Sequence, residues 1–201
     1  VPLSVATPGA ANAAPQVGPV VISEIMYHPT VLPEAEYVEL LNISDMPVTL
    51  YDEESGLAWR LVDGPDNPPI ECALSIDQPM TLEPGQRLVI LKDLIGFAVA
   101  YGYSPDILSV TSGAGGLSDD GELIQLCRPA GLADDGVVTW RMVDGVAYGD
   151  GSHPEDFLAG VDPWPIEADG QGLSLHRIDP TAYGNDPANW RAAPPGPGNA
   201  D

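Results

Sequence analysis

The sequence is poor in basic residues, since seven lysines and arginines stand against 30 aspartates and glutamates, and Lys92 is the only lysine. The formal net charge of −23 gives a surface that repels nucleic acid phosphates and anionic lipid headgroups. We therefore expect no nucleic-acid partner, whereas cations are favoured. The simplest interpretation of the excess charge is solubility in an exported or salt-exposed protein.

Long apolar runs and cysteines are also scarce. No run approaches the roughly 20 apolar residues that a transmembrane helix needs, so we expect no membrane insertion. The two cysteines, Cys72 and Cys127, permit one disulfide in an exported chain. No tryptophan lies between them, so the Cys…Trp…Cys signature of immunoglobulin domains is absent. The sequence leaves the pairing of these cysteines open.

Enzyme signatures are missing as well. The chain has no Gly-x-Ser-x-Gly elbow, phosphate-binding glycine loop or His-Glu-x-x-His motif, and His28, His153 and His176 are far apart. Cys127 follows an alternating apolar pattern, which favours a structural cysteine within a strand over a nucleophile. We predict that the chain is not an enzyme.

Glycine and proline are abundant, with 22 of each, and they separate short apolar runs without a fixed period. Runs rich in β-branched residues between turn-forming residues predict strands. These runs cover residues 20–27, 36–43, 48–51, 57–63, 71–76, 86–93, 121–129, 137–150 and 172–179. Asp93 as N-cap and Gly102 as C-terminal stop predict one helix. The predicted fold is all-β, an immunoglobulin-like β-sandwich with one short helix near residues 93–101.

The first 18 residues differ from the rest because they are small, uncharged and rich in alanine and proline. Such a segment has little apolar bulk to bury. We expect residues 1–18 to be a flexible linker or leader remnant and residues 19–201 to form one domain.

The order of motifs from about Val20 to the end resembles the bacterial lamin-tail domain. The motifs are VISEIMYHP, EYVELLNISDMPVTL, WRL, LEPGQRLVIL, LSDDGELIQL, GVAYGD, WPIEADGQGLSLHRIDP and NDPANWRAAPPGPGN. The resemblance implies an immunoglobulin-like sandwich that serves as a module of secreted or surface proteins and has no catalytic residues of its own. Two departures, a longer acidic segment at 52–75 and Pro-Pro-Gly-Pro-Gly near the end, prevent loop contacts from being carried over.

Four tryptophans invite a comparison with sugar-binding platforms. Trp59 and Trp140 lie in strand patterns and are interpreted as core residues. Trp164 and Trp190 lie in segments whose sequence is typical of loops, and the resemblance to the lamin-tail domain places them in the closing motifs of that family. We interpret this pair as packing the C-terminal segment, with ligand contact as the alternative.

Two motifs, EIMYHP and EYVELLN, contain residue types that are common in active sites. Glu24, Tyr27, His28, Glu36 and Glu39 are candidates for acid–base or metal-binding groups, because pairing of the first two strands would bring Glu24 near Glu39. The structural interpretation is favoured, with glutamates that face solvent or meet Arg60 or Arg177 across the sheet.

Acidic turns offer the remaining chemistry. SDDGE, ADDG and YGDGSHPED place carboxylates on glycine-containing loops, as calcium sites do. Asp150, Glu155 and Asp156 are the candidate calcium ligands. Asp-Gly is also the ordinary residue pair of tight hairpin turns, and this explanation is favoured.

The sequence thus predicts a non-catalytic interaction or architectural module of a secreted or cell-surface multidomain protein. Its partner would be a protein or a cell-surface glycan. The alternative is a calcium-assisted carbohydrate-binding module, and calcium is the one cofactor considered.

Overall fold

The structure is a computed structural model that describes residues 15–63, 71–74, 79–110, 115–133 and 136–199. Within these residues the chain forms mostly strands and one α-helix, α1 (Leu94–Tyr101). The strands are β1 (Val20–Met26), β2 (Tyr37–Asn42), β3 (Val48–Thr49), β4 (Tyr51–Asp52), β5 (Leu57–Ala58), β6 (Arg60–Val62), β7 (Glu71–Ala73), β8 (Thr81–Leu82), β9 (Arg87–Leu91), β10 (Leu108–Val110), β11 (Gly121–Leu132), β12 (Val138–Gly149), β13 (Ser174–Arg177) and β14 (Trp190–Ala193). Four short 3-10 turns span Pro33–Ala35, Pro154–Asp156, Ile166–Ala168 and Pro187–Asn189.

The described strands form two main sheets and two short ladders. One sheet has six strands in the order β10-β9-β2-β1-β13-β14, and the other has four in the order β12-β11-β6-β7. The ladders pair β3 with β8 and β4 with β5. All described pairs are antiparallel except β9 with β10, whose parallel pairing requires a crossover that α1 provides. The prediction of an all-β sandwich with one short helix is confirmed.

The main core lies between the two sheets. Ile22 and Leu40 from the larger sheet and Leu61 and Leu126 from the smaller one are at most 1% exposed. Burial of this apolar surface is the main favourable term in folding. The six-stranded sheet is also covered on its other face, where Met26, Tyr37, Val89, Leu91 and Phe97 form a second apolar cluster with α1.

Because both faces of the six-stranded sheet are covered, the polar residues of β1 do not mark a solvent-exposed face. All seven of its residues are buried, although the strand contains Ser23 and Glu24. An antiparallel strand with one solvent-exposed face would direct such polar side chains to solvent. In this strand they are buried beneath other segments of the chain, so the alternative in which Glu24 and Glu39 face solvent was wrong.

Helix α1 has the caps that the sequence predicts. The Asp93 carboxylate accepts a hydrogen bond from the Gly96 N–H at 2.6 Å, and Gly102 adopts a left-handed conformation with φ of 77°. Gly96 also permits close packing, since a Cβ there would lie 2.6 Å from the Cβ of Glu34. None of the helices among the described residues combines the length and apolar character needed to span a bilayer.

Three strands were not predicted. β8 and β10 are very short. The sequence of β14 resembles that of a loop, but this strand pairs along its whole length with β13. Trp140 is only partly buried, with the Arg60 guanidinium 3.9 Å from its ring centroid, so its assignment to the core was wrong. The two aspartates of the ADDG turn and residues 1–14 of the N-terminal segment lie outside the described residues.

Cys127 is a buried free thiol. Strand β6 lies between β11, which carries Cys127, and β7, which carries Cys72. Two strand spacings amount to roughly 9.5 Å, whereas Cα atoms of a disulfide lie within about 7 Å of each other. The backbone arrangement therefore disfavours a bridge between these cysteines.

Candidate functional site

Glu24 and Glu39 face each other directly across β1 and β2, in the register that the sequence suggested. Both are buried, at 2% and 3% exposure. Ionised carboxylates are stable in such surroundings only when other groups compensate their charge. The hydrogen-bond partners of each glutamate therefore decide what this pair can do.

The Glu24 carboxylate is the centre of a buried polar network. Its Oε1 accepts hydrogen bonds from the Tyr37 hydroxyl, from Ser174 Oγ at 2.5 Å and from the Gly196 N–H at 3.1 Å. His176 Nε2 lies 3.1 Å from the same oxygen. Burial alone would raise the pKa of Glu24, but these donors, with His176 first among them, lower it. Glu24 thus ties β13 and the C-terminal segment to β1.

Ser174, His176 and Glu24 together resemble a catalytic triad in composition. In a working triad the histidine accepts the serine proton on one ring nitrogen and donates to the carboxylate from the other. Here the same atom, His176 Nε2, approaches Ser174 Oγ at 3.0 Å, Glu24 and the Pro194 carbonyl at 3.1 Å. Two acceptors around Nε2 require it to carry a proton, so it cannot act as a base toward Ser174. All three triad-like residues are also at most 2% exposed.

Glu39 holds the C-terminal segment from the neighbouring strand. It accepts hydrogen bonds from Ser23 Oγ at 2.6 Å, from Arg87 Nε at 3.1 Å and from the Gly198 N–H at 2.8 Å. Burial raises the pKa of Glu39 to about 7, and the nearby charge of Glu24 adds to the increase. The cationic partner is Arg87 and not Arg60 or Arg177, which corrects the pairing expected from sequence.

The third glutamate, Glu36, also has internal partners. Its two oxygens accept from Lys92 Nζ and from the Leu117 N–H, both at 2.7 Å. Burial raises the pKa of Glu36 despite these donors. Arg177 instead pairs with Asp144 at 2.6 Å, across the two sheets. All three glutamates of the motifs therefore fasten strands and loops to each other.

The other motif residues lie at one end of the sandwich, among loop carboxylates. His28 Nδ1 is 2.6 Å from Asp169 Oδ1 and 3.8 Å from Asp119 Oδ1. Tyr27 packs against the Tyr148 ring at a centroid distance of 4.9 Å, and its buried hydroxyl has no hydrogen-bond partner among the described residues. Burial, followed by the charges of Asp169, Asp150, Asp119 and Asp162, raises the pKa of Tyr27. We call this region the acidic end.

The acidic end brings Asp150 close to residues other than its sequence-predicted companions. One ligand atom each from Asp120, Asp150 and His153 lie within 4.8 Å of one another. Glu155 and Asp156 are exposed and do not belong to this group. Glu155 instead contacts the histidine, with its Oε1 3.2 Å from His153 Nδ1. Asp150 is buried, and both of its oxygens accept from Ser152.

Trp164 and Trp190 lie inside the protein, at 6% and 4% exposure, with their ring centroids 6.2 Å apart. Trp190 Nε1 donates to the Gly184 carbonyl at 2.7 Å. Rings buried to this extent contribute mainly packing between segments of the chain. They join the C-terminal strand to the loop that precedes β13.

Ser174, His176 and Asp144 were not identified from the sequence, and Asp120 was included only as part of the SDDGE turn and was not named as a ligand. The first two read as ordinary members of a strand, and Asp144 lies in the middle of a hairpin arm. Their partners are distant in sequence, 122 residues in the case of the Asp144 contact with the Ile22 N–H.

Comparison with models of known protein families gave no match, and comparison with curated proteins gave none either.

Proposed function

We propose that this chain is a non-catalytic docking module, similar to the lamin-tail domain, within a secreted or cell-surface multidomain protein. The buried glutamates support this proposal because their hydrogen-bonding capacity is used to hold the fold together. The triad-like residues support it as well, since they are buried and the His176 nitrogen beside Ser174 carries a proton and is not available as a base.

The observation that carries the proposal is the outer face of α1. Phe97 on the inner face is fully buried, whereas Leu94, Ile95 and Val99 on the outer face are 41%, 75% and 65% exposed. A helix that is apolar all round is normally buried all round. Contiguous exposed apolar side chains in a soluble domain mark interaction surfaces. This outer face, which we call the α1 face, is the docking surface of the proposal.

Charge defines the chemistry of the partner. The chain carries −23, and Glu34 lies in the 3-10 turn that packs against α1. A partner with an apolar patch and a basic rim would cover the α1 face and be attracted by this charge. The partner is therefore a protein surface and not an anionic polymer.

The test compares the domain with the double variant Ile95→Glu, Val99→Glu and with the control Leu158→Glu. Leu158 is fully exposed in the loop that follows β12, so its replacement adds one surface charge outside α1. Proteins from the surface and medium of the producing cells are captured on each form. We expect a partner that the parent and the control retain at equal levels and that the double variant loses. Equal capture by all three forms would contradict docking through the α1 face.

The carbohydrate-binding alternative is separated by a glycan array run with and without calcium. Since Trp164 and Trp190 are buried, we expect no glycan signal in either condition. A calcium-dependent signal would replace the docking proposal by the calcium-assisted module.

A further inference from the structure

We propose that Asp120, Asp150 and His153 bind a divalent metal ion of the zinc class at the acidic end of the sandwich. Asp120 lies in the turn before β11, and Asp150 and His153 follow β12, so the β11–β12 hairpin brings the three together. Their ligand atoms lie within 4.8 Å of one another, which is the spacing of a shared ion. This proposal is independent of docking through α1.

The histidine is oriented for metal binding. Its Nδ1 lies 3.2 Å from Glu155 Oε1, and its Nε2 faces Asp150 Oδ2 at 3.8 Å. Histidine ligands of metals characteristically donate one ring N–H to a carboxylate and coordinate through the other nitrogen. Glu155 is therefore a positioning residue, and the Nε2 lone pair is directed at the group.

Other contacts hold the ligands in place. The Asp150 carboxylate accepts from the Ser152 N–H at 2.8 Å and from Ser152 Oγ at 2.6 Å. Asp162 accepts from the backbone N–H groups of His153 and Trp164, at 3.2 and 3.0 Å. These bonds restrain the loop before any ion binds, and restrained ligands lower the entropy lost on binding.

A second feature points to a ligand in this region. Tyr27 is 1% exposed, and within the part of the chain that the structure describes its hydroxyl has no hydrogen-bond partner. Buried polar groups almost always have a protein or water partner. The Tyr27 ring packs against the ring of Tyr148 at a centroid distance of 4.9 Å, and Tyr148 lines a cleft together with Asp120 and His153. An ordered water in the hydration shell of a bound ion would satisfy the hydroxyl and be held by the carboxylates.

Two of the three ligands, Asp120 and His153, border a cleft, whereas Asp150 is buried beside them. This cleft has a volume of about 300 Å³ and is lined by Asp120 and His153, together with Asp156, Asp162 and Trp164. Three protein ligands leave a fourth tetrahedral position of zinc open to water or to a ligand from a partner. The cleft gives that position access to solvent.

The ligand set favours zinc over calcium. Calcium requires six to eight oxygen ligands, whereas imidazole nitrogen suits zinc and its neighbours among the transition metals. The three residues supply one nitrogen and two carboxylates. Because the net charge of the chain attracts every divalent cation, selectivity must come from His153.

The experiment titrates the metal-free purified protein with zinc chloride, and separately with calcium and magnesium chloride at matched ionic strength. Calorimetry gives the stoichiometry and affinity, and the melting temperature gives an independent readout. We expect one saturable zinc site per chain, a higher melting temperature, and no comparable site for calcium or magnesium. His153→Ala and Asp150→Asn should each lose at least tenfold in zinc affinity. Glu155→Gln should weaken it by about tenfold, the lower end for such positioning residues.

His28→Ala is the matched control, since the His28 and His153 side chains are 39% and 40% exposed at the same end of the molecule. It should retain the zinc affinity of the parent. Because His153 is half exposed, its replacement leaves the core intact, and unfolding is monitored by circular dichroism. Zinc binding that persists unchanged in His153→Ala, a calcium site equal to the zinc site, or the absence of saturable binding would each overturn the proposal.

Discussion

At the residue scale, the buried carboxylates of Glu24 and Glu39 resemble catalytic groups but hold segments of the fold together. Glu24 and Glu39 lie side by side, yet burial acts on them with different results, because their partners differ. His176 and the other donors lower the pKa of Glu24, whereas burial raises that of Glu39 to about 7. Pairs of this kind often mark active sites. Here the two carboxylates hold the N–H groups of Gly196 and Gly198 instead.

The raised pKa of Glu39 predicts a pH-dependent stability. Between pH 4.5 and about 7 the folded protein retains the proton on this carboxyl, while the unfolded chain has released it. The free energy of unfolding therefore falls as the pH rises through this window, by at most about 1.4 kcal/mol per unit. Glu39→Gln lacks this ionisation, so the parent should lose on the order of 2 kcal/mol more than the variant between pH 5 and pH 7.5.

Urea denaturation at several pH values measures this difference. Other buried acids contribute to the pH dependence of both proteins, so only the difference between them is attributed to Glu39. The exposed Glu53→Gln serves as the control and should follow the parent. Parallel stability curves for the parent and Glu39→Gln would show that the carboxyl does not titrate in this range.

Local sequence signals predicted local structure well at this scale. Asp93 and Gly102 could be identified as caps because a cap depends on residues within one turn of the helix. The partners of Glu24 could not be identified, because Ser174 is 150 residues away in sequence. Asp120, Asp150 and His153 meet only after β11 and β12 have paired. The acidic turns pointed to Asp150 as a candidate ligand, but not to Asp120 and His153 as the residues that lie beside it.

At the scale of elements, the C-terminal strand shows how tertiary pairing overrides a weak local signal. β14 is four residues long and is followed by a proline-rich segment, so its sequence resembles a loop. It becomes a strand because β13 pairs with it and because Trp190 packs beside Trp164. Strand propensity depends on such packing more than on the backbone itself.

The C-terminal segment is consequently expected to be essential for stability. Trp190→Ala removes a side chain that is 4% exposed and should lower the free energy of unfolding by about 3 to 5 kcal/mol. Trp140→Ala is the control with the same chemical change, because Trp140 is partly exposed beneath Arg60. It should lose closer to about 1 kcal/mol, the size of an exposed cation–π contact.

Removal of all residues from Asn185 onward extends the same prediction. It deletes β14 and the N–H groups that Glu24 and Glu39 bind, so it should lower the melting temperature more than Trp190→Ala does. Thermal unfolding followed by circular dichroism measures each variant. A truncated chain that melts like the parent would show that the C-terminal segment contributes nothing to the sandwich.

At the scale of the whole molecule, several of the few basic residues lie in the interior and pair with buried acids. The described structure uses Arg87, Lys92 and Arg177 in buried or half-buried ion pairs with Glu39, Glu36 and Asp144. These bases neutralise interior charge and leave the surface carboxylates largely uncompensated. The composition predicted the net charge of −23 but not this division between interior and surface, because the division depends on which face of each strand is covered.

The uncompensated surface predicts a general dependence of stability on salt. Self-repulsion among the carboxylates destabilises the folded state, and monovalent salt screens it over a Debye length of about 10 Å at 0.1 M. The melting temperature should therefore rise broadly with sodium chloride, by about 2 to 4 °C for each kcal/mol gained. Calcium and magnesium at matched ionic strength should act alike, because general screening does not distinguish between them. The triple variant Glu53→Gln, Glu54→Gln, Glu83→Gln removes three exposed charges. It should reduce the rise of the melting temperature with sodium chloride and leave the response to zinc intact. A saturable calcium-selective shift that Asp150→Ala or Asp156→Ala abolishes would instead place a calcium site in the loop after β12, because screening by mobile ions depends on no single carboxylate.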